Sequence, residues 1–162
     1  MFLSFQKTGN RVEDDSFFLE AISSYIMPNE SKFTSIGNLA NISALMNEYL
    51  DDINWVGFYL YDGEKLVLGP FQGEPACSVI QMGKGVCGTS AFRKETLIVP
   101  DVSAFPGHIA CSAKSKSELV VPILSDNTLL GVIDIDSPKI NRFTKEDATL
   151  MEKVAKIVAD YI

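Results

Sequence analysis

The chain has 162 residues, of which 46% are hydrophobic, and carries a net charge of −7. This composition is ordinary for a folded globular domain, so it excludes collagen-like, mucin-like and disordered chains. The negative charge has the wrong sign for attraction to phosphate backbones or anionic lipid, so we expect neither nucleic acid nor a membrane as a partner. At about 100 to 200 residues per domain, we expect residues 1–162 to form one domain.

Two amphipathic helices are predicted at the start of the chain. Apolar residues recur every three to four positions between Asp14 and Met27, which predicts a helix that ends before Pro28. A second helix follows, with Thr34 or Ser35 as its candidate N-cap. Its predicted core stripe consists of Ile36, Leu39, Ala40, Ser43, Met46 and Leu50.

The hydrophobic period then changes to that of β-strands. Residues 54–61 are dense in aromatic and β-branched side chains, and the turn Asp62-Gly63 separates them from a second strand at 65–68. We therefore expect a hairpin. The next predicted elements are a short apolar segment at 77–80, a helix at 86–94 and a strand at 96–99.

The last part of the chain is predicted to contain a hairpin and a closing helix. A long loop at 100–117 leads into two nearly continuous apolar strands, at 118–124 and 129–136. The helix begins at Thr144, where a Thr-x-x-Asp sequence is similar to a capping box. This order of elements favours an α+β fold with a mainly antiparallel sheet covered by helices.

The three cysteines, Cys77, Cys87 and Cys111, are an odd number in a chain large enough to fold without disulfide staples. No signal-peptide pattern and no run of roughly 20 apolar residues is present, so we expect a cytoplasmic protein. These features favour thiol redox or nucleophilic chemistry over a secreted disulfide framework. The alternative is that one or two of the cysteines are simply small buried apolar residues.

A zinc site is the first alternative use of these residues. Cys77, Cys87, His108 and Cys111 have suitable ligand types, but the gaps between successive cysteines are ten and twenty-four residues. Structural zinc sites present closer cysteine pairs, so we expect no metal cofactor. His108 either lowers the pKa of the Cys111 thiol or is an ordinary hydrogen-bonding loop residue.

Residues 83–88 match the pattern G-x-G-x-x-G. A dinucleotide-binding fold is disfavoured because the flanking elements are hairpins instead of repeated βαβ units. Two interpretations stay open. The backbone amides hold a small anion such as a carboxylate at a helix start, or the loop only requires glycines with positive φ.

An acidic pair lies in the second hairpin. Asp134 and Asp136 are two residues apart in an apolar strand and therefore point to one face, and Glu118 begins the neighbouring strand. Like charges on a half-buried face are costly unless they bind a cation or hold a proton. Asp136 is also explained by a strand-ending turn, whereas Asp134 is not. Trp55 and Tyr59 share one face of the first strand, where they wall a pocket or simply fill the core.

Five segments of the sequence resemble free methionine-R-sulfoxide reductases, a family of single GAF domains, and the resemblance covers almost the whole chain. The segments are Asn54-Trp55-Val56-Gly57-Phe58-Tyr59, Leu68-Gly69-Pro70-Phe71-Gln72-Gly73, Gly83-Lys84-Gly85-Val86-Cys87-Gly88, Phe105-Pro106-Gly107-His108-Ile109-Ala110-Cys111 and Gly131-Val132-Ile133-Asp134-Ile135-Asp136-Ser137. One departure is Ser112, where the family often has aspartate directly after the cysteine.

The resemblance implies reduction of free L-methionine-R-sulfoxide with electrons from thioredoxin and without a cofactor. Cys111 would be the attacking thiol, Cys77 the main resolving thiol and Cys87 a second or alternative one. A homodimer is implied by the resemblance only. The residues that would bind the substrate, assist proton transfer or border its methylthio end are Glu118, Asp134, Asp136, Trp55 and Tyr59.

The competing hypothesis is a non-enzymatic GAF module that senses a small ligand or a redox signal. A ligand sensor does not need three cysteines so placed, whereas a redox sensor would use the same thiols. Turnover of free methionine sulfoxide with thioredoxin distinguishes the two, because a sensor would show none.

Overall fold

The structure, a computed structural model, describes residues 6–107 and 113–162. Within these ranges, no helix combines the length and the apolar character that crossing a membrane requires. The helices span Arg11–Tyr25 (α1), Lys32–Tyr49 (α2), Gly85–Arg93 (α3) and Lys145–Ala159 (α4), and a 3-10 turn spans Val102–Ala104. The strands span Trp55–Tyr61 (β1), Lys65–Gly73 (β2), Val79–Gln81 (β3), Leu97–Val99 (β4), Ser117–Ser125 (β5) and Thr128–Ser137 (β6).

The strands form one six-stranded sheet in the order β3-β2-β1-β6-β5-β4. Every neighbouring pair in it is antiparallel. The predicted α+β class and both predicted hairpins are therefore confirmed. The order places β1 and β6 at the centre, although 66 residues of sequence separate Tyr61 from Thr128 and only the fold brings these strands together.

The two faces of this sheet differ in what covers them. The face we call the helix-covered face packs against α1, α2 and α4; its strand residues are Val56, Phe58, Leu119, Val121, Ile123, Ile133 and Ile135. The opposite face, which we call the site face, packs against α3 and the 3-10 turn; its buried apolar strand residues are Trp55, Tyr59, Leu66, Ile80, Val99, Val120, Leu129 and Val132. In β1, in the first half of β5 and from Val132 onward in β6, successive side chains point to opposite faces. Register shifts between Gly57 and Tyr59 and between Ile123 and Leu124 interrupt the regular pairing of the sheet.

The start of α2 differs from the prediction. Ser31 is the N-cap, and Thr34 is its capping-box partner at the third helical position, so neither Thr34 nor Ser35 begins the helix. The core stripe is also rotated, because Ile36 is 51% exposed while Asn38 is buried. Asn38 tolerates burial because its amide group bonds both the N–H and the C=O of Met27, each at 2.9 Å.

The start of α4 confirms the predicted cap. Thr144 accepts a hydrogen bond from the backbone N–H of Asp147, and the Asp147 carboxylate accepts one from the N–H of Thr144. The same buried carboxylate receives Arg11 and Arg142, each at 3.0 Å. One aspartate thus caps α4 and joins it to the first turn of α1.

Candidate active site

Three carboxylates lie together on the site face of β5 and β6. The strand register places Glu118 opposite Asp136 and Val120 opposite Asp134. Glu118 is 6% exposed and Asp134 7% exposed, while Asp136 is half-buried. The predicted grouping across the hairpin is therefore present, at a depth where carboxylates are rare without partners.

A cysteine completes this cluster. Cys87, in the first turn of α3, is buried, and its Sγ lies 3.8 Å from Oε1 of Glu118. The sulfur and one carboxylate oxygen each from Glu118 and Asp134 all lie within 4.8 Å of one another. Oδ1 of Asp134 is buried and has no hydrogen-bond partner in the part of the chain that the structure describes. An acceptor left in this way is costly unless a ligand supplies a donor or a cation.

Burial changes the protonation of the cluster. It raises the pKa of Asp134 to about 6. Burial, reinforced by the negative charge of Asp134, raises the pKa of Glu118 and of Asp136 well above the usual carboxyl range. The pKa of the Cys87 thiol is raised well above its usual value by burial and by the facing carboxylates. The cluster can therefore hold a proton near neutrality, and Cys87 is poorly suited to be a thiolate.

An aromatic stack borders the carboxylates. Trp55 stacks on Phe71 with ring centroids 5.2 Å apart and lies 5.9 Å from Tyr59. Trp55 Nε1 donates to the carbonyl of Glu74 at 3.1 Å, and the Tyr59 hydroxyl donates to the carbonyl of Cys77 at 3.0 Å. Both rings are buried, so they fill the core and also fix the segment that carries Cys77.

The stack depends on a residue without a side chain. Gly57 lies opposite Asp134 in the sheet. A Cβ at this position would come 2.3 Å from Cβ of Phe71. The glycine therefore allows Phe71 to cross β1 and reach Trp55.

Comparison with known proteins shows which family the chain belongs to. Residues 38–162 match the GAF domain family. The free methionine-R-sulfoxide reductase of Escherichia coli (strain K12) is 48% identical over 138 residues, which cover 83% of this chain and 82% of that protein. The chain belongs to the free methionine-R-sulfoxide reductase family.

Solved structures support the assignment. The X-ray structure of free methionine-R-sulfoxide reductase from Neisseria meningitidis, in complex with its substrate, has a TM-score of 0.87 at 39% identity and covers 98% of this chain and 93% of that one. The reduced form of the Staphylococcus aureus enzyme has a TM-score of 0.82 at 49% identity, with 89% and 92% covered. Membership confirms the predicted GAF fold and the prediction of an oxidoreductase.

In this reductase-family chain the glycine-rich loop is a tight turn before α3. Gly83 and Gly85 have φ values of +76° and +60°, so the interpretation by positive φ holds for both. The N–H of Gly88 already donates to the carbonyl of Lys84 at 3.0 Å, and a Cβ at Gly88 would lie 2.3 Å from the carbonyl oxygen of Gln81. An anion at this helix start would therefore meet the N–H groups before Gly88, not that of Gly88 itself.

The cysteines predicted for the reductase chemistry occupy different surroundings. Cys77 is half-buried just before β3 and is disulfide-bonded. Cys87 is a buried free thiol. Cys111 and His108, together with Ser112, lie outside the residues that the structure describes.

Two polar residues near the carboxylates were not predicted as site residues from the sequence. Asn54 Nδ2 donates to Oγ of Ser115 at 3.2 Å, and a hydrogen bond from Ser115 opposes the rise in the pKa of Asp136. Oδ1 of Asn54 is buried without a hydrogen-bond partner among residues 6–107 and 113–162. Asn54 was visible as a polar residue before the aromatic strand, whereas no local pattern marks Ser115, which reaches Asp136 only through the fold.

Proposed function

We propose that this chain reduces free L-methionine-R-sulfoxide to L-methionine, with Cys111 as the attacking thiol and thioredoxin as the reductant. Membership of the reductase family supports the reaction class. The single observation that carries the proposal is the buried cluster of Glu118, Asp134 and Asp136, with raised pKa values, beside a wall of aromatic rings. A sulfoxide has one apolar end and one oxygen that must be protonated, and this site offers a partner for each.

The carboxylates would activate the substrate. A sulfoxide sulfur becomes electrophilic when its oxygen accepts a proton, and a carboxyl group with a raised pKa can supply that proton near neutral pH. The Cys111 thiolate then attacks the sulfur. The oxygen is transferred from the substrate sulfur to Cys111 Sγ, so the sulfur–oxygen bond of the substrate breaks and a sulfenic acid forms on Cys111. The transient bond between the two sulfur atoms breaks in the same step, and methionine leaves with its electron pair. Methionine is thereby reduced by two electrons and Cys111 is oxidised by two.

A second thiol closes the cycle. It condenses with the sulfenic acid, which releases water and forms a disulfide, and the dithiol of thioredoxin reduces that disulfide by exchange. Cys77 is the better resolving residue, because it is disulfide-bonded and its backbone is fixed by Tyr59. Cys87 is free, and the raised pKa of its thiol disfavours the thiolate that resolution needs. We therefore assign Cys77 and Cys111 to the disulfide and keep Cys87 as an alternative.

The same cluster would recognise the free amino acid. One carboxylate would pair with the substrate ammonium, while the N–H groups at the start of α3, from Gly85 to Cys87, would donate hydrogen bonds to the substrate carboxylate. Trp55 and Tyr59, which lie in the apolar cluster of the site face, would border the methylthio end. A substrate with both charges intact is thus held at both ends.

Helix α1, which precedes the GAF match, packs together with the GAF domain. Phe18 and Ile22 of α1, which precede the GAF match, pack in the same core as α2, α4 and the sheet. This packing supports residues 1–162 as a single GAF domain. Dependence on thioredoxin corresponds to the cytoplasm, where thiols are kept reduced.

Single-turnover measurements on cysteine variants test the proposal. Pre-reduced protein is mixed with free L-methionine-R-sulfoxide, and released methionine is counted before and after addition of thioredoxin, thioredoxin reductase and NADPH. We expect no methionine from Cys111→Ser, and about one equivalent without recycling from Cys77→Ser. Cys87→Ser is the matched thiol variant and should still recycle. A burst from Cys111→Ser, or wild-type protein that never consumes NADPH, would contradict the proposal.

A further inference from the structure

Cys87 and its two carboxylate neighbours have a geometry that proton transfer to a sulfoxide does not require. Three buried side chains from α3, β5 and β6 bring one sulfur and two oxygen atoms within 4.8 Å of one another. In the reaction described above Cys87 is only an alternative thiol. Its position against Glu118, at 3.8 Å, therefore invites a separate explanation.

The distance between the Cys87 sulfur and the Glu118 oxygen is close to that between two ligands of a tetrahedral metal ion. With Zn–S near 2.3 Å and Zn–O near 2.0–2.2 Å, tetrahedral angles place a sulfur and an oxygen ligand about 3.5 Å apart. The sulfur–oxygen distance of 3.8 Å is close to this value. A pair at the limit of 4.8 Å would need to close by about 1.3 Å, which is within the range of side-chain rotation of a carboxylate.

A second observation points to a ligand at the same place. Oδ1 of Asp134 is buried and has no hydrogen-bond partner among the described residues. Asp134 as a whole is 7% exposed, so water does not readily satisfy this oxygen. A cation bound here would give it a partner and would compensate the negative charge that two carboxylates and a thiolate bring together.

We propose that Cys87, Glu118 and Asp134 form a site for a thiophilic divalent cation, with Zn²⁺ as the best match, and that the bound ion excludes the sulfoxide. The thiol selects Zn²⁺ or Co²⁺ over Mg²⁺ and Ca²⁺, which prefer oxygen ligands only. Metal binding stands on the geometry alone. The exclusion of substrate rests on the proposed function, because it assumes that the same carboxylates hold the sulfoxide. Zinc would act as a reversible inhibitor, not as a cofactor.

Titration of the reduced protein with Co²⁺ tests the site without any turnover. The reductant is removed first, and the near-ultraviolet charge-transfer band of a cobalt thiolate is followed. We expect a band that saturates at one Co²⁺ per chain, disappears when Zn²⁺ is added and does not form in Cys87→Ser. Cys77→Ser is the matched control and should keep the band. Absence of the band in the wild type, or its persistence in Cys87→Ser, would overturn the site.

A second variant distinguishes loss of a metal ligand from loss of folding. Asp134→Asn keeps the volume of the side chain but weakens one ligand, and we expect the dissociation constant for Zn²⁺, measured by calorimetry, to rise at least about tenfold. An unchanged constant in a variant with wild-type circular dichroism would contradict the ligand set. Excess Mg²⁺ should leave the calorimetric titration unchanged, and heat from Mg²⁺ binding at the cluster would count against a thiol-selected site.

The inhibitory part is measured separately. In the thioredoxin assay, Zn²⁺ should raise the apparent KM for free L-methionine-R-sulfoxide without changing kcat, and a chelator should restore activity. A fall in kcat at constant KM would reject competition with substrate. If the protein fails to turn over the sulfoxide but the cobalt band forms as expected, the proposed function fails and the metal site stands.

Discussion

The two faces of the sheet are both buried along β6, but their side chains differ in chemistry. On the helix-covered face, Ile133 and Ile135 are fully buried among apolar side chains. On the site face of the same strand, Asp134 is almost as deeply buried among carboxylates and a thiol. Burial of apolar groups stabilises the fold, whereas burial of unpaired carboxylates opposes it. The helix-covered face therefore stabilises the fold, and this stability offsets the cost of burying the carboxylates on the site face.

Along β6, successive residues alternate between the apolar core of the helix-covered face and the carboxylate cluster of the site face. Ile133, Asp134, Ile135 and Asp136 are consecutive, and each pair of neighbours points to opposite faces. A shift of one residue in the register would place both aspartates in the apolar core. The apolar residues of β6 thus fix which face the carboxylates occupy.

The largest effect is expected from a carboxylate placed on the wrong face. Ile135→Asp should lower the free energy of unfolding by about 4 kcal/mol or more, because the new charge would be buried in a cluster of apolar side chains. Denaturant unfolding followed by circular dichroism measures it. Ile135→Val is the control for lost volume and should cost only about 1 kcal/mol. If Ile135→Asp were tolerated as well as Ile135→Val, the two faces would not differ as described.

The opposite change on the site face should affect activity instead of stability. Glu118→Gln removes a group that we assign to proton transfer, so we expect kcat/KM to fall about 100-fold or more. The free energy of unfolding should stay equal or increase, since one buried carboxyl group that repels its neighbours is gone. Glu64→Gln, at an exposed turn, is the matched control and should change neither quantity. Loss of activity that only follows unfolding would argue against the assigned role.

An effect of intermediate size is expected in the pH dependence of the free energy of unfolding. Folding raises the pKa of Asp134 to about 6, so the folded chain keeps a proton that the unfolded chain releases above about pH 4. The stabilisation from this proton is complete at lower pH and is lost as the pH rises through about 6. Relative to Asp134→Asn, the wild type should lose on the order of 2 kcal/mol of unfolding free energy between about pH 4 and pH 7.

Urea unfolding of both proteins at several pH values checks this difference. Asp126→Asn, in the exposed turn between β5 and β6, is the control and should run parallel to the wild type. If Asp134→Asn also ran parallel, the carboxyl group of Asp134 would not be held protonated by the fold.

The smallest expected effect belongs to Ser115. Its hydrogen bond lowers the pKa of Asp136, so Ser115→Ala should raise that pKa further and shift the pH profile of kcat/KM upward. We expect a loss of about 5- to 10-fold at neutral pH, corresponding to about 1 kcal/mol for one hydrogen bond. Ser115→Thr should restore the profile, and Ser125→Ala, at the exposed end of β5, should not change it. A uniform loss without a shift in pH would indicate a purely structural role.

Features set by local pattern were predictable from the sequence. The alternation along β6 placed Asp134 and Asp136 on one face, and the Thr-x-x-Asp sequence located the start of α4. Both signals act over a few residues, so no knowledge of the remaining chain is needed. The resemblance to the reductase family rested on longer segments and is confirmed by the comparisons.

Features set by tertiary packing were not predictable. The cap of α2 was misplaced because several Ser and Thr residues precede that helix and only the structure selects Ser31. The contact between Cys87 and Glu118 joins α3 to β5, 31 residues later, through the packing of the helix on the site face. Ser115 likewise reaches Asp136 across a loop whose path no periodicity specifies.

In the proposed reaction, a buried carboxylate binds the ammonium group of the free amino acid and the N–H groups at the start of α3 bind its carboxylate. The carboxylate cluster activates only the R epimer. The most direct measurement compares turnover of resolved free L-methionine-R-sulfoxide, the free S epimer, and an N-acetylated, C-amidated methionine-R-sulfoxide. We expect turnover of the free R epimer only, with the capped compound reduced about a thousandfold or more slowly because both buried charge sites lose their partners. The S epimer directs its oxygen away from the proton donor, so it should bind without reacting. Comparable rates on the free and capped R compounds would contradict the account.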